Sequence, residues 1–152
     1  MTLHCARRSM SLGENYNNCN QISQNKLVMA FKKIFAPVRF PDPTMVTEEF
    51  FGKISSGQSD ISIGHLQSAA GWSEAPQKPD FDEYTIVLKG ALYLTAEDGT
   101  VTVCRANEGI LVPKGTYVQY SSPEPDGADY ISVCIPGFDM KLAHREGMED
   151  VQ

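Results

Sequence analysis

From Asp60 to Pro136 the chain is written almost entirely in short β-forming runs separated by turn residues, and this restricts its fold more than any other feature. Asp60 to Gln67 alternates around Ile61, Ile63 and His65. Tyr84-Thr85-Ile86-Val87-Leu88 is rich in β-formers and stops at Lys89-Gly90. Leu92 to Thr95 and Val101 to Cys104 flank Glu97-Asp98-Gly99-Thr100, where Asp-Gly predicts a two-residue hairpin turn with positive φ. Ile110-Leu111-Val112 runs into the turn Pro113-Lys114-Gly115. Tyr117 to Tyr120 and Tyr130 to Ile135 are two further runs, parted by a loop carrying Pro123, Pro125 and Gly127. Runs of this length and spacing, with little helix, predict an all-β antiparallel barrel or double-sheet jelly roll. Closure hides the strand edges and leaves a central cavity as the natural ligand site.

The rest of the chain sets bounds. Its 152 residues suit one domain with a substantial core. Thirteen Lys and Arg against 19 Asp and Glu leave a net charge of −6, which argues against a nucleic-acid partner because phosphate binding needs a basic face. No apolar run approaches the ~20 residues of a membrane-spanning helix, so no membrane partner is expected. Residues 1–28 differ in character: Arg7, Arg8 and Lys26 stand against Glu14 alone, and asparagines crowd the segment. That stretch reads as a flexible or targeting extension, compatible with an organelle transit peptide, and the functional domain is expected over 29–152. Pro41-Asp42-Pro43 breaks the chain, and Thr47 to Gly52 reads as a single helical turn or the start of a strand. Cys5, Cys19, Cys104 and Cys134 form no C-x-x-C pair and fit free thiols in a reducing compartment, so a cytoplasmic location is expected.

The motifs within the β region resemble the cupin superfamily. Glu83-Tyr84-Thr85-Ile86-Val87-Leu88-Lys89-Gly90 looks like the second half of the first cupin motif, and Pro113-Lys114-Gly115 like the core of the second, with the Asp98-Gly99 hairpin between them. Asp82-Glu83 and Ser121-Ser122-Pro123 are most similar to ethanolamine-utilisation-type cupins. The tail Cys134-Ile135-Pro136-Gly137-Phe138 with His144-Arg145-Glu146 is similar to the end of many small stand-alone cupins. The resemblance implies a small single-domain cupin, commonly a homodimer. Metal-binding cupins present His-x-His, a glutamate and a second-motif histidine. Here the His-x-His positions fall on Gln77 and Pro79 or on Pro76 and Lys78, and the last falls on Val118. Only Glu83 matches that ligand set. Valine offers no lone pair, so an atypical divalent metal is the one cofactor the resemblance leaves open.

Strand parity then assigns the interior. Alternate residues share a face, so an inward Glu83 brings Thr85 and Val87 inward and sends Tyr84, Ile86 and Leu88 out. An inward Val118 brings Thr116 and Tyr120 with it. Glu83 among apolar neighbours should have a raised pKa and serve as general acid or base, with His65 or Tyr120 as helper. Gln77, Lys78, Thr85, Thr116 and Trp72 are the candidate ligand-binding residues, with Gln77 and Lys78 at the barrel mouth. Asp82 should face away from Glu83. His144 and Arg145 are expected in surface ion pairs with Glu146 or Glu149. Two function classes follow for this histidine-poor cavity: a metabolic enzyme acting on a small molecule through Glu83, or a non-catalytic binding or accessory cupin. An atypical metal-dependent oxygenase or isomerase is the third alternative.

Overall fold

The computed structural model describes residues 33–147, Phe35 apart, and the reading of 1–28 lies outside them. The described residues form nine strands and one helical turn: β1 (Val38–Pro41), β2 (Met45–Phe51), β3 (Ser62–Ser68), β4 (Trp72–Ser73), β5 (Asp82–Thr95), β6 (Val101–Arg105), β7 (Gly109–Val112), β8 (Gln119–Ser122), β9 (Ala128–Ile135) and α1 (Met140–Ala143). Every strand pair is antiparallel. One sheet runs β1-β2-β3-β9-β5-β7, and the second runs β6-β5-β8-β4. This is the curled all-β jelly roll that the run spacing predicts.

The two sheets share β5. Its residues 82–90 pair with β9 and β7, whereas 91–95 pair with β6 and β8. Sequence pattern suggests two runs here, interrupted by Lys89-Gly90, but the chain stays extended through the interruption. A bulge between Val87 and Lys89 and a φ of 69° at Gly90 turn the strand from one sheet into the other. Only glycine fits that corner. A Cβ at Gly90 would lie 2.1 Å from the Gly127 carbonyl oxygen.

Other boundaries shift for local reasons. Thr47 to Phe51 is strand, within β2, because it pairs with β3 across the sheet. β8 starts at Gln119, two residues later than its hydropathy suggests, because Lys114 to Thr116 is consumed by a turn in which Thr116 N donates to Pro113 O. The Asp98-Gly99 loop is longer than two residues: Ala96 N bonds Thr100 O, and Gly99 alone adopts positive φ.

The core lies between the sheets. Val87, Leu92, Leu94, Val112, Val118, Tyr120 and Tyr130 form its main buried cluster, with Leu66 and Trp72 packed against it. A smaller cluster of Phe81, Cys134 and Ala143 joins it to the C-terminal segment. That segment is fixed as a strap. Asp139 caps α1 and bonds Lys53 at 2.6 Å, Asp80 N donates to Leu142 O, and Glu146 N donates to Pro76 O. No helix of the described residues is long and apolar enough to cross a membrane. Cys104 and Cys134 are free and buried.

Candidate functional site

The site starts at Glu83, near the beginning of β5. Inward Glu83, Thr85 and Val87 stand in register with Cys134, Ser132 and Tyr130 of β9, which are inward by the same alternation. Ser132 Oγ donates to Glu83 Oε1 at 2.5 Å, and the Tyr120 hydroxyl donates to Oε2 at 3.0 Å. Burial pushes the Glu83 carboxyl up. The two hydroxyl donors and the charge of Arg145 pull it back only in part, and it stays raised. The Tyr120 phenol is held well above its usual range by burial and by Glu83.

A second carboxyl lies across β8 from the first. Trp72 faces Ser122, Glu74 N donates to Tyr120 O at 3.1 Å, and Gln77 exchanges both backbone bonds with Val118. Positions 72, 74 and 77 therefore oppose 122, 120 and 118. One extra residue at Ala75-Pro76 is absorbed as an irregularity, which keeps Glu74 and Gln77 on the inner face. Arg145 from the strap reaches both: Nη2 lies 2.8 Å from Glu74 Oε2, and Nε donates to Gln77 Oε1 at 3.1 Å. Its guanidinium also packs over Phe138, 5.9 Å from the ring centroid. The Glu74 carboxyl is raised to about 7 by burial, which the opposing charge of Arg145 does not offset and the charge of Glu83 reinforces. Tyr130 completes the group. It is 4% exposed, and its hydroxyl has no hydrogen-bond partner among the described residues.

The interior therefore holds two carboxyls of raised pKa, one guanidinium, two phenols and a serine hydroxyl. This set can pass protons near neutrality and bind a ligand with several hydrogen-bonding groups. It does not fit the multi-histidine metal centre. Val118 offers no lone pair, and the Gln77 amide oxygen is already committed to Arg145. No group of three or more His, Cys, Asp or Glu among the described residues could hold a metal ion. The Cys134 thiol, pushed up to about 12 mainly by burial, is no thiolate donor near neutral pH.

Of the sequence-predicted residues, Glu83, Tyr120, Thr85 and Gln77 come together in the interior, and Gln77 is buried rather than at the rim. Trp72 is half-buried against the core. Two placements need correction. Thr116 is exposed, because it sits in the turn before β8, where strand parity no longer operates. Lys78 is exposed, which is compatible with a place at the barrel mouth, and with Thr116, Glu97, Asp98 and Tyr117 it lines a shallow depression of about 370 Å³. His65 does not meet Glu83. It projects from the opposite face of β3 to Leu66, with Nε2 2.6 Å from Asp129 Oδ1 and Nδ1 3.4 Å from Glu48 Oε2. Burial works to raise the Asp129 carboxyl, but the bonds from His65 and Gln67 outweigh it and hold it low.

Sequence reasoning missed Glu74, Arg145, Tyr130 and Ser132. Parity along β9 could have supplied the last two, once its register with β5 was assumed. Glu74 was hidden by the extra residue before Gln77. Arg145 carries no local signal: His144 makes the surface pair, with Asp80 at 2.7 Å, while Arg145 turns in.

Comparison with solved structures decides the architecture. EutQ from Clostridium difficile superposes with a TM-score of 0.53 at 23% identity, over 66% of this chain and 72% of that one. KdgF from Halomonas sp. gives 0.56 at 19% identity over 69% and 91%. Oxalate decarboxylase from Bacillus subtilis gives 0.62 at 13% identity over 72% and 30%. The chain has the cupin fold that these three structures share.

No family model matches this chain. Two curated proteins resemble it in sequence. Endoribonuclease YbeY from Myxococcus xanthus is 38% identical over 99 residues, which is 65% of this chain and 33% of that protein. The uncharacterised protein YdbB from Bacillus subtilis is 47% identical over 38 residues, 25% of this chain and 34% of that one. The chain thus spans about a third of the length of the curated relatives it matches.

Proposed function

We propose that the interior of this cupin barrel binds a small polar molecule and that Glu83 acts on it as a general acid or base. One observation carries the reading: an inward carboxyl gripped by Tyr120 and Ser132, and raised by burial toward the pH at which it works. Tyr120 is the helper, since its hydroxyl already lies on Glu83 and can relay a proton. Gln77, Thr85 and Trp72 contribute to the ligand-facing wall. The likeness to EutQ, a protein named for ethanolamine utilisation in a related structure, supports a metabolic setting without naming a substrate. RNA cleavage is not part of this reading, because the match to the endoribonuclease spans 33% of that protein and the chain carries a charge of −6.

A non-catalytic binding cupin is the second reading, favoured by the same pair of bonds, which would also fix Glu83 as a recognition group. Glu83→Gln separates the two. Once a thermal-shift screen of metabolites has supplied a ligand, an enzyme loses turnover by at least about 100-fold with affinity kept. A binder loses affinity alone. A screen without ligand, on protein that is folded, overturns both readings.

We further propose that the protein is a homodimer of a reducing, cytoplasmic compartment. Tyr84, Ile86, Leu88, Leu111 and Ile135 are exposed on the outer face of one sheet, and the buried thiols Cys104 and Cys134 are unpaired.

A further inference from the structure

The strap that follows β9 belongs to neither sheet, yet it packs against the end of the barrel at which Glu83 stands. Cys134, the register partner of Glu83 on β9, is buried with Phe81 and the strap's Ala143, and Phe138 and Leu142 close around them. The start of the strap is pinned. Gly137 N donates to Ser59 O and Phe138 N to Ser62 Oγ, both at 2.9 Å. A Cβ at Gly137 would lie 2.9 Å from the Ile61 backbone, so the chain is pressed directly onto its neighbour there. Beyond Phe138 the ties are spaced out: Asp80 N donates to Leu142 O, Glu146 N donates to Pro76 O, and Arg145 stands opposite Gln77 as an isolated bridge.

Side-chain contacts beyond the pin are of two kinds. The pairs Lys53–Asp139 and His144–Asp80 lie on the surface, where an ion pair adds little. Arg145 turns into the barrel instead, with Nη2 2.8 Å from Glu74 Oε2 and Nε donating to Gln77 Oε1. Both acceptors sit on the inner face, so this guanidinium is a piece of the inner wall carried by the strap and not by the sheets. Lifting the strap removes it and uncovers Glu74 Oε2 and Gln77 Oε1 together. The strap's apolar contacts with the small cluster come from Phe138, Leu142 and Ala143. A segment with few buried apolar contacts and exposed polar ties belongs to the part of a protein that opens on its own.

We propose that the strap is a lid over the barrel interior, opening from its pinned start at Gly137 and Phe138, with Arg145 as its latch. Closed, the lid delivers the guanidinium to the inner wall and covers the Cys134 side of the interior. Open, it leaves the acceptors of Glu74 and Gln77 to an entering molecule. Completing a site on closure is a common task of such segments. Glu83 keeps its bonds to Ser132 and Tyr120 in both states, because neither donor comes from the strap. The purpose of the lid rests on the reading of the interior as a small-molecule site, whereas its motion can be followed without a ligand.

Cys134 reports the lid, because Ala143 covers it. The full chain is pulsed with N-ethylmaleimide at neutral pH in low concentrations of urea, and each thiol is followed by peptide mapping. A lid exposes little surface when it opens, so Cys134 labelling should rise with urea at less than about half the slope of global unfolding. Arg145→Met should speed Cys134 by at least about tenfold, while Cys104 in the main core changes by less than about twofold. Lys53→Met breaks a surface tie of the same strap and should speed Cys134 by less than about threefold. Thr85→Cys puts a thiol on the buried inner face of β5, and Arg145→Met should speed its labelling in step with that of Cys134. A Cys134 slope equal to that of global unfolding makes the strap a fixed part of the barrel and ends the proposal; this comparison holds even where Arg145→Met does not fold. Equal acceleration of Cys104 and Cys134, or an equal effect from Lys53→Met, removes Arg145 as the latch. A Thr85→Cys thiol that stays slow while Cys134 accelerates shows a strap that does not guard the interior, which also overturns the lid. Failure of the metabolite screen is the separate result that removes the small-molecule reading and leaves the moving strap.

Discussion

The two faces of β5 are made from alternate residues of one strand, yet they do opposite things. Inward lie Glu83, Thr85 and Val87, and Glu83 accepts hydrogen bonds from Tyr120 and Ser132. Outward lie Tyr84, Ile86 and Leu88, each more than 40% exposed. An ordinary half-solvated sheet turns its apolar residues in and its polar residues out. Here a region of the inner face is polar and charged, while the outer face around β9, β5 and β7 is apolar. Under the proposals above, the inversion assigns the inner wall to a ligand and the outer wall to a second copy of the chain.

The corner that makes this arrangement available offers the largest test. Gly90→Ala must place a Cβ against the Gly127 carbonyl at a backbone φ of 69°. A loss of roughly 4 kcal/mol or more in urea unfolding is expected, enough to threaten folding at 37 °C. A variant unfolding within about 1 kcal/mol of the parent would mean that β5 can turn between the sheets in another way.

The inner face gives the next effect, through pH. The Glu74 carboxyl titrates at about 7 when folded and at 4.5 in its ordinary setting, so the folded chain binds that proton more tightly. Its contribution to stability is full below about pH 4.5 and is lost as pH rises through about 7. At 1.36 kcal/mol per unit, the loss is about 3 kcal/mol. Measured as stability against pH, Glu74→Gln should flatten this slope between pH 4.5 and 7 relative to the parent. Parallel profiles would show that Glu74 titrates normally.

The outer face gives the smallest change in stability and the clearest change in mass. Ile86→Lys touches an exposed side chain, so unfolding should move by no more than about 0.5 kcal/mol. Light scattering should show the parent at twice 16.8 kDa and the variant at 16.8 kDa. A parent already at the lower mass ends the homodimer proposal.

This contrast also explains how much of the molecule could be read from its sequence. Period-two alternation is a local property, so the β runs, the sheet class and the two faces of β5 were legible. Glu83, Thr85 and Tyr120 followed from it. Parity fails once the chain leaves the strand or gains a residue. It misplaced Thr116, which lies in a turn, and it overlooked Glu74, which reaches the inner face through the extra residue at Ala75-Pro76. His65 shows a different limit: its strand was found, but alternation alone does not say which set faces in. Leu66 and Gly64 take the inner side, and His65 goes to Glu48 and Asp129. Arg145 lay beyond any local signal, because its place depends on a strap that folds back over some 70 residues of sequence.

The sharing of β5 between both sheets bears on how the molecule opens. Neither sheet contains a complete set of strands without it, so neither can detach as an independent unit. Amides of residues 83–87 and 92–94 should then exchange with solvent through the same cooperative event, while β1, paired only along one edge, frays separately. Glu83, on the shared strand, should then belong to the part of the protein that opens least often.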